Sequence, residues 1–438
     1  MTEQWPRISV GSLVQAREAS LQTGPFGTQL SASEYVPEGI PVINVRNVGF
    51  GDVRADDLEY VSEGKAEQLH HHVLRVDDIV FGRKGAVERH ALIGLAQDGW
   101  IQGSDCLRLR LQSPRFNVRF VSFYLRTKGH QDWMQALCSF GSTMSSLNQD
   151  IVNRIELPCP PRPVQDRIAA VLAAYDDLIA NNQHRIALLE SIAEEIYREW
   201  FVRMRFPRHA TLKSDDLIPQ GWSRQPIGEL ATLIKRGISP DYAEHSEHQV
   251  INQKCIRGGR VSLAEARPHV SVVPEEKVLR YGDVLINSTG VGTLGRAAVF
   301  DIDADGVTCD SHVTILRPKD VVLSGEFLAH TIQLLQLYFE SMASGSTGQA
   351  ELSRELISRT KVLVPTEDLL RRFSDAAAPI RRQRRLLLDQ NERLSATRDQ
   401  LLPRLISGKL RVDSLDIQFP PSMQPRPAQA AQRAARSR

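Results

Sequence analysis

Two clusters in this sequence have residue types that could do chemistry, and both fail on spacing. Gly290-Val291-Gly292-Thr293-Leu294-Gly295 has the glycine pattern of a dinucleotide loop. Such a loop needs a helix after it, so that the helix N-terminus meets the pyrophosphate. Arg296-Ala297-Ala298-Val299-Phe300 reads instead as a strand, and Gly85-Ala86-Val87-Glu88 in the first half does not keep the pattern. Arg296-Ala297 also stands where a phosphate loop needs Lys-Ser/Thr. His70-His71-His72 is the second cluster. Three consecutive side chains of a regular strand or helix cannot converge on one ion, so a solvated surface run is expected and no metal site. There is no G-x-S-x-G, no H-E-x-x-H and no aspartate-rich cluster. The Asn/Asp-Pro-Pro-aromatic motif by which an amino-methyltransferase grips its target base is also missing. No catalytic residue is expected.

What remains is polar residues in glycine-rich loops, notably Thr23-Gly24-Pro25-Phe26-Gly27 and Gly82-Arg83-Lys84-Gly85. Arg bidentate to guanine and Asn or Gln bidentate to adenine are the usual base readers. Ser, Thr, Lys and backbone N–H groups hold phosphates. On that chemistry the DNA-binding candidates in the first half are Thr23, Thr28, Gln29, Asn44, Arg46, Asn47, Arg83 and Lys84. In the second half they are Asn252, Lys254, Arg257, Arg260, Asn287, Ser288, Thr289, Thr293 and Arg296. The competing reading is that such residues only form turns.

The elements that must position these loops come from an internal repeat. Val42-Ile43-Asn44 recurs as Val250-Ile251-Asn252, and Arg75-Val76-Asp77-Asp78-Ile79-Val80 as Arg280-Tyr281-Gly282-Asp283-Val284-Leu285. Gly141-Ser142-Thr143 recurs as Gly345-Ser346-Thr347, all at offsets of about 205 residues. Ile168, Tyr175, Leu189 and Ile196 fall at seven-residue spacing with Asn182 in the remaining slot, and Leu178, Ile186 and Ile192 widen the stripe. The same shift lands on Phe373, Ile380, Leu387, Leu394 and Leu401. Such stripes mean two long amphipathic helices, each about 60 Å at 1.5 Å per residue, that bury their apolar faces on one another. Polar Asn182 reads as a register device.

The expected class is α+β: two similar mixed α/β domains, each followed by a long helix, the helices pairing as an antiparallel coiled coil with pseudo-two-fold symmetry. Boundaries are drawn at 1–160 for the first domain and 161–206 for the central helix. A linker and second domain follow at 207–365, the distal helix at 366–411, and a disordered tail at 412–438. Strands are expected at 40–45, 78–81, 91–95, 107–111 and 154–157, with helical stretches at 116–137 and 326–342. Pro379 is expected to kink or divide the distal helix, and Gly408 to stop it. The run Arg371-Arg372, Arg381-Arg382, Arg384-Arg385 is open to two readings, phosphate contact or a partner-facing helix side.

Composition agrees with an ordinary globular chain. Lys+Arg 54 against Asp+Glu 52 argues against a charge-coated polyanion binder and leaves room for local basic clefts. Five scattered cysteines without a C-x-x-C pair fit reduced, buried thiols and a cytoplasmic setting. Neither a signal peptide nor an apolar run long enough for a membrane span is read.

Several segments together resemble the specificity (S) subunit of type I restriction-modification systems, over residues 1–410. They are Val164-Gln165-Asp166-Arg167-Ile168-Ala169, then Tyr197-Arg198-Glu199-Trp200-Phe201-Val202, and Leu401-Leu402-Pro403-Arg404-Leu405-Ile406-Ser407-Gly408. Pro219-Gln220-Gly221-Trp222 and Thr23-Gly24-Pro25-Phe26-Gly27 add to the likeness. The resemblance implies two target recognition domains, each reading one half of a split double-stranded DNA sequence. It implies that the helices set the unread spacer and dock two methyltransferase subunits, and that restriction subunits join. This chain would be non-catalytic and bind no cofactor, with S-adenosylmethionine, ATP and Mg used by the partners. The alternative of a different class is a coiled-coil scaffold that does not read DNA.

Overall fold

The computed structural model describes residues 5–138, 146–207, 218–290, 292–319, 325–343 and 350–424. The Gly-Ser-Thr repeats at 141–143 and 345–347 and the chain beyond 424 lie outside them. The chain divides into two compact units, Met1–Asn181 with Asn391–Arg438, and Asn182–Gln390. Each unit is a mixed domain with a stretch of both long helices, as an α+β repeat requires.

In the first unit a five-stranded sheet runs in the order Ala19–Thr23, Cys106–Leu111, Ile79–Gly82, His90–Leu92, Phe50–Gly51. A four-stranded sheet orders Tyr35–Val36, Glu59–Val61, Ile40–Ile43, Ile101–Gln102. The second unit repeats the scheme with Ala231–Arg236, Val313–Pro318, Val284–Asn287, Ala297–Val299, and with Arg267–Pro268, Gln249–Ile251, Val307–Cys309. The helical stretches expected at 116–137 and 326–342 each break once, into Val118–Leu125 and Lys128–Cys138, and into Gly325–Leu334 and Gln336–Met342.

The Arg-x-x-Asp repeat has a physical cause. Asp78 is buried, accepts from the Arg75 N–H at 2.8 Å, and holds the Arg110 guanidinium by two bonds of 2.7 Å. Asp283 does the same with the Arg280 N–H and with Arg317, all at 2.8 Å. The residue before each aspartate is left-handed, Asp77 at φ +70° and Gly282 at φ +92°. Glycine and aspartate tolerate that region, which explains why Asp77 and Gly282 can exchange at this position of the repeat.

The first long helix runs Arg162–Tyr197. Gln165 fixes its start: fully buried, it accepts from the Asn117 N–H and donates to the Arg115 and Pro160 carbonyls. Arg162 pairs with Asp166 at 2.7 Å one turn on. The helix then widens into a π turn, Arg198–Val202. That turn carries Phe201 into an aromatic cluster with Tyr197, Trp222 and Phe373, so both signature segments are anchors at the ends of the helix. The distal helix runs unbroken from Glu367 to Ile406. Pro379, which is exposed, therefore does not divide it. Gly408 follows at φ +72°, where a Cβ would stand 2.8 Å from the Trp5 ring.

The helices pair antiparallel in both units. Asp176 meets Arg398 at 2.6 Å and the Ile179 carbonyl accepts from Asn391 in the first unit. Asn182 donates to Gln390 at 3.1 Å, and Glu190 lies 3.8 Å from Arg384, in the second. Of the stripe, Ile168, Phe373 and Leu387 are buried, and Tyr175, Leu189, Ile196, Ile380, Leu394 and Leu401 are partly buried. Leu178 and Ile192 are about half exposed, at 49% and 50%, so they do not belong to the stripe. Buried Asn182 with its cross-helix bond suits a register device.

The tail expected to be disordered from 412 is instead packed as far as 424. Val412 is buried in the first unit's core, Arg167 donates to the Asp413 carbonyl at 2.8 Å, and the Ser422 N–H donates to Asp177 at 3.1 Å. Arg119 also holds the Ser422 carbonyl at 2.8 Å. Low hydropathy misleads here because one buried valine and several backbone bonds suffice to seat a short strap. Ending the chain at Arg411 is expected to lower the first unit's stability by about 2 kcal/mol, mainly from exposing one valine-sized side chain and its seat. Urea denaturation reads this, and an unchanged midpoint would mean that the strap adds nothing.

Candidate nucleic-acid interface

In the first unit close backbone approaches gather the loops at one rim. A Cβ on Gly24 would fall 1.9 Å from the Gly103 carbonyl oxygen, and one on Gly103 would fall 2.1 Å from Asn44 Oδ1. Only glycine lets these segments meet, and the loop motif brings the Thr23 and Asn44 turns together. Thr23 Oγ1 accepts from Gln149 at 2.9 Å. Thr28 and Gln29 are exposed beside Phe26, which is 65% exposed. Arg83 is half-buried and donates to the Leu147 carbonyl; Lys84 is exposed and pairs with Asp105 at 3.0 Å. Asn44 donates to Glu59 at 2.5 Å, and exposed Arg46 pairs with Glu59 at 2.9 Å. Burial raises the Tyr35 pKa.

The second unit builds the same kind of rim. A Cβ on Gly237 would fall 1.9 Å from the Cys309 carbonyl oxygen, the counterpart of the Gly24 approach. Asn252 accepts from the Lys254 N–H at 2.8 Å and donates to the Glu265 carbonyl at 2.7 Å. Gln253 donates to the Thr289 carbonyl at 2.7 Å, and Thr289 Oγ1 lies 2.9 Å from His312 Nδ1. Thr293 Oγ1 donates to the Thr289 carbonyl at 3.2 Å. Such rims offer amides, hydroxyls and cations on backbone that can approach a groove, which suits binding rather than bond-making.

Residues 29–191 match the family model described as the type I restriction modification DNA specificity domain. The type I restriction enzyme MjaIX specificity subunit of Methanocaldococcus jannaschii is 23% identical over 308 residues, 68% of this chain and 70% of that protein. The same organism's putative type I restriction enzyme MjaX specificity subunit is 21% identical over 392 residues, 85% of this chain and 88% of that protein. In fold, the chain is similar to the crystal structure of the S subunit of a type I restriction-modification system from M. genitalium. That match has a TM-score of 0.57 at 16% identity, covering 92% of this chain and 97% of that one. In sequence over residues 29–191, and in fold over most of its length, this chain is similar to type I restriction-modification specificity subunits.

Not every candidate lies on the rims. Asn47, Asn287 and Ser288 are fully buried. Asn47 braces its loop through the Arg54 and Asp56 carbonyls, Asn287 donates to Gln253, and Ser288 pairs with Thr314 at 2.6 Å. These three are turn and strand braces and leave the set of readers. Arg260 is held by Glu190 of the first long helix at 2.5 Å. Arg257 and Arg296 line a cavity of about 700 Å³ against residues of both helices, among them Leu189, Ala193, Ile380 and Arg384. All three arginines thus serve the helix side of the domain.

The basic run divides as well. Arg381 pairs with Glu326 and Arg384 with Asp301, so those two face the domain, whereas Arg371 and Arg372 pair along their own helix. Of the histidine run, His72 is buried, and desolvation lowers its pKa. Only His70 and His71 are left as the surface pair, because a 3-10 turn sends three successive side chains in three directions. Residues 290 and 292–295 lead into the strand Ala297–Val299 rather than a helix, as expected. Four of the five thiols are buried, and burial pushes Cys106 up to about 12.

Sequence reasoning missed Tyr35, Glu59 and Gln149 in the first rim and Tyr242, Gln253, Arg267 and His312 in the second. Gln253 follows Asn252 directly and was within reach of the repeat. Glu59 and Arg267 sit on short strands, and Tyr242 makes an isolated bridge to His269, all without glycine or repeat signature, so only strand pairing brings them to the loops.

Proposed function

We propose that this subunit reads a bipartite double-stranded DNA target, one domain per half-site, for a type I restriction-modification complex in the cytoplasm. The observation that carries this is the duplication itself. One polypeptide holds two domains of equivalent topology, each with a polar rim, and a pair of antiparallel helices contributes to both. Duplex DNA has the matching two-fold character, and proteins with two recognition units read half-sites at a spacing set by the part between them. The rims differ in their side chains, so the half-sites differ in sequence. The helices set the unread spacer and dock two methyltransferase subunits, and restriction subunits complete the complex. The partners bind S-adenosylmethionine, ATP and Mg and perform the chemistry, while this chain performs none. Among the described residues no helix is long and apolar enough to cross a membrane.

Methylome sequencing of cells that carry the chain and its methyltransferase partner tests the reading. One split motif with a fixed spacer is expected. The purified complex should also bind that duplex about a thousand-fold or more tighter than scrambled duplex at one stated salt concentration. Equal binding to both duplexes would overturn DNA reading and leave a scaffold.

A further inference from the structure

Four positions of the two rims coincide in topology. Strand Ile40–Ile43 pairs antiparallel with Glu59–Val61, Val42 opposite Glu59; strand Gln249–Ile251 pairs antiparallel with Arg267–Pro268, Val250 opposite Arg267. Each of the two strands also runs parallel to a second neighbour, Ile101–Gln102 and Val307–Cys309. Both strands end in an asparagine that opens a 3-10 turn, Asn44 and Asn252, with Arg46 or Lys254 in the middle of that turn. Tyr35 pairs with Val61 and Tyr242 with His269, the same step beyond Glu59 and beyond Arg267. Tyr35, Asn44, Arg46 and Glu59 therefore stand where Tyr242, Asn252, Lys254 and Arg267 stand. Three of the four keep their chemical kind, and the fourth reverses its charge.

That reversal changes what each corner presents. In the first unit the Glu59 carboxylate binds both Arg46 and Asn44, so the corner is close to neutral and rich in acceptor oxygen. In the second unit a backbone carbonyl, that of Glu265, takes the Asn252 amide instead. The Arg267 guanidinium carbon lies over the Tyr242 ring, 3.5 Å from its centroid, and neither Arg267 nor Lys254 has a carboxylate partner among the described residues. These side chains line a cavity of about 410 Å³, with Glu265 and Asp310 also on its wall. A stacked guanidinium is oriented through its face and keeps its N–H edge for a bidentate acceptor.

We propose that this corner is the base-reading position at which the two half-sites are made different. Arg267 donates its edge to O6 and N7 of a guanine in one half-site, with Lys254 on a neighbouring phosphate. Glu59 accepts from the exocyclic amino group of a cytosine in the other, with Arg46 on the phosphate beside it. These are the partners that base-edge geometry favours for arginine and for a carboxylate. The proposal rests on the chain being a DNA-specificity subunit.

The test compares methylomes of wild type, Arg267→Ala and Glu59→Gln, each full chain with its methyltransferase partner. Arg267→Ala is expected to relax one guanine of one half-site, losing roughly ten- to hundred-fold discrimination. Glu59→Gln is expected to relax one cytosine of the opposite half-site. The untouched half-site reports in each case that the complex has folded and assembled. Where a variant methylates too weakly to score, binding of the assembled complex to four duplexes varied at each half-site position gives the same reading. A motif or binding preference unchanged in both variants would overturn the proposal, as would relaxation of the wrong half-site. A wild type with no bipartite motif would instead refute the underlying function.

Discussion

Seven residues inserted after Asn181 and seven after Gln390 lengthen the unread spacer by about three base pairs and leave both half-sites unchanged. A heptad adds about 10.5 Å of helix at 1.5 Å per residue. Duplex DNA rises about 3.4 Å per base pair. A whole heptad also returns the apolar stripe to the same face of a left-handed pair, so pairing continues through the insertion. The insertion point matters. Asp176–Arg398 and the strap contacts at Asp177 and Arg167 lie within the first unit, and Asn182–Gln390 and Glu190–Arg384 within the second. Cutting between Asn181 and Asn182 and between Gln390 and Asn391 keeps every one of those contacts inside its own unit. Three base pairs also turn the second half-site by roughly 100° at about 10.5 base pairs per turn, so methylation falls while the motif shifts. Methylome sequencing reads both effects. A spacer of wild-type length would show that the helices do not measure it.

Asp283→Ala has the largest expected effect on stability, a loss of about 3–5 kcal/mol. The carboxylate is 1% exposed, takes two bonds from Arg317, and closes its own turn through the Arg280 N–H. Its loss leaves a guanidinium with 13% exposure and no counter-charge, and opens the turn that starts a central strand. Against a typical domain stability of about 5–15 kcal/mol, such a loss unfolds a sizeable share of the second unit. Because the first unit keeps its own pair, Asp78 with Arg110, denaturation should resolve into two steps, only one of them displaced. A single unshifted transition would count against the pair as a structural keystone. Replacing Asp283 and Arg317 together by apolar residues should recover much of the loss, since no buried charge is then left alone.

The repeat and the helix pair were legible because their causes are short-range. Heptad spacing writes an apolar stripe directly into Ile168, Phe373 and Leu387, and a left-handed turn before a buried aspartate writes Asp77-Asp78 and Gly282-Asp283. Leu178 and Ile192 were assigned to the stripe and stand half out of it, because heptad counting does not say how wide the partner helix is. The strap at 412–424 was read as disorder, since its composition is polar and its few anchors, Val412 and Ser422, are seated by residues distant in sequence. Pro379 marks a kink or a division of the distal helix by its residue type, yet the helix runs through it undivided.

For the rims, residue type alone was a poor guide. Asn44, Asn47, Asn252 and Asn287 look alike as loop asparagines. Asn47 and Asn287 are fully buried braces, whereas Asn44 and Asn252 stay half-buried at the edge. Arg257, Arg260 and Arg296 turned to the helix side, although nothing in their local sequence separates them from Arg46. By itself the sequence determined that this chain is two copies of one domain, each followed by a long helix, since periodicity and turn chemistry act over a few residues. Only the tertiary structure decided which polar groups reach the rim, and that Glu59 and Arg267 hold the same place with opposite charge. Strand register makes that decision, bringing Asn44 to Glu59 across fifteen residues of chain, and no local pattern encodes it.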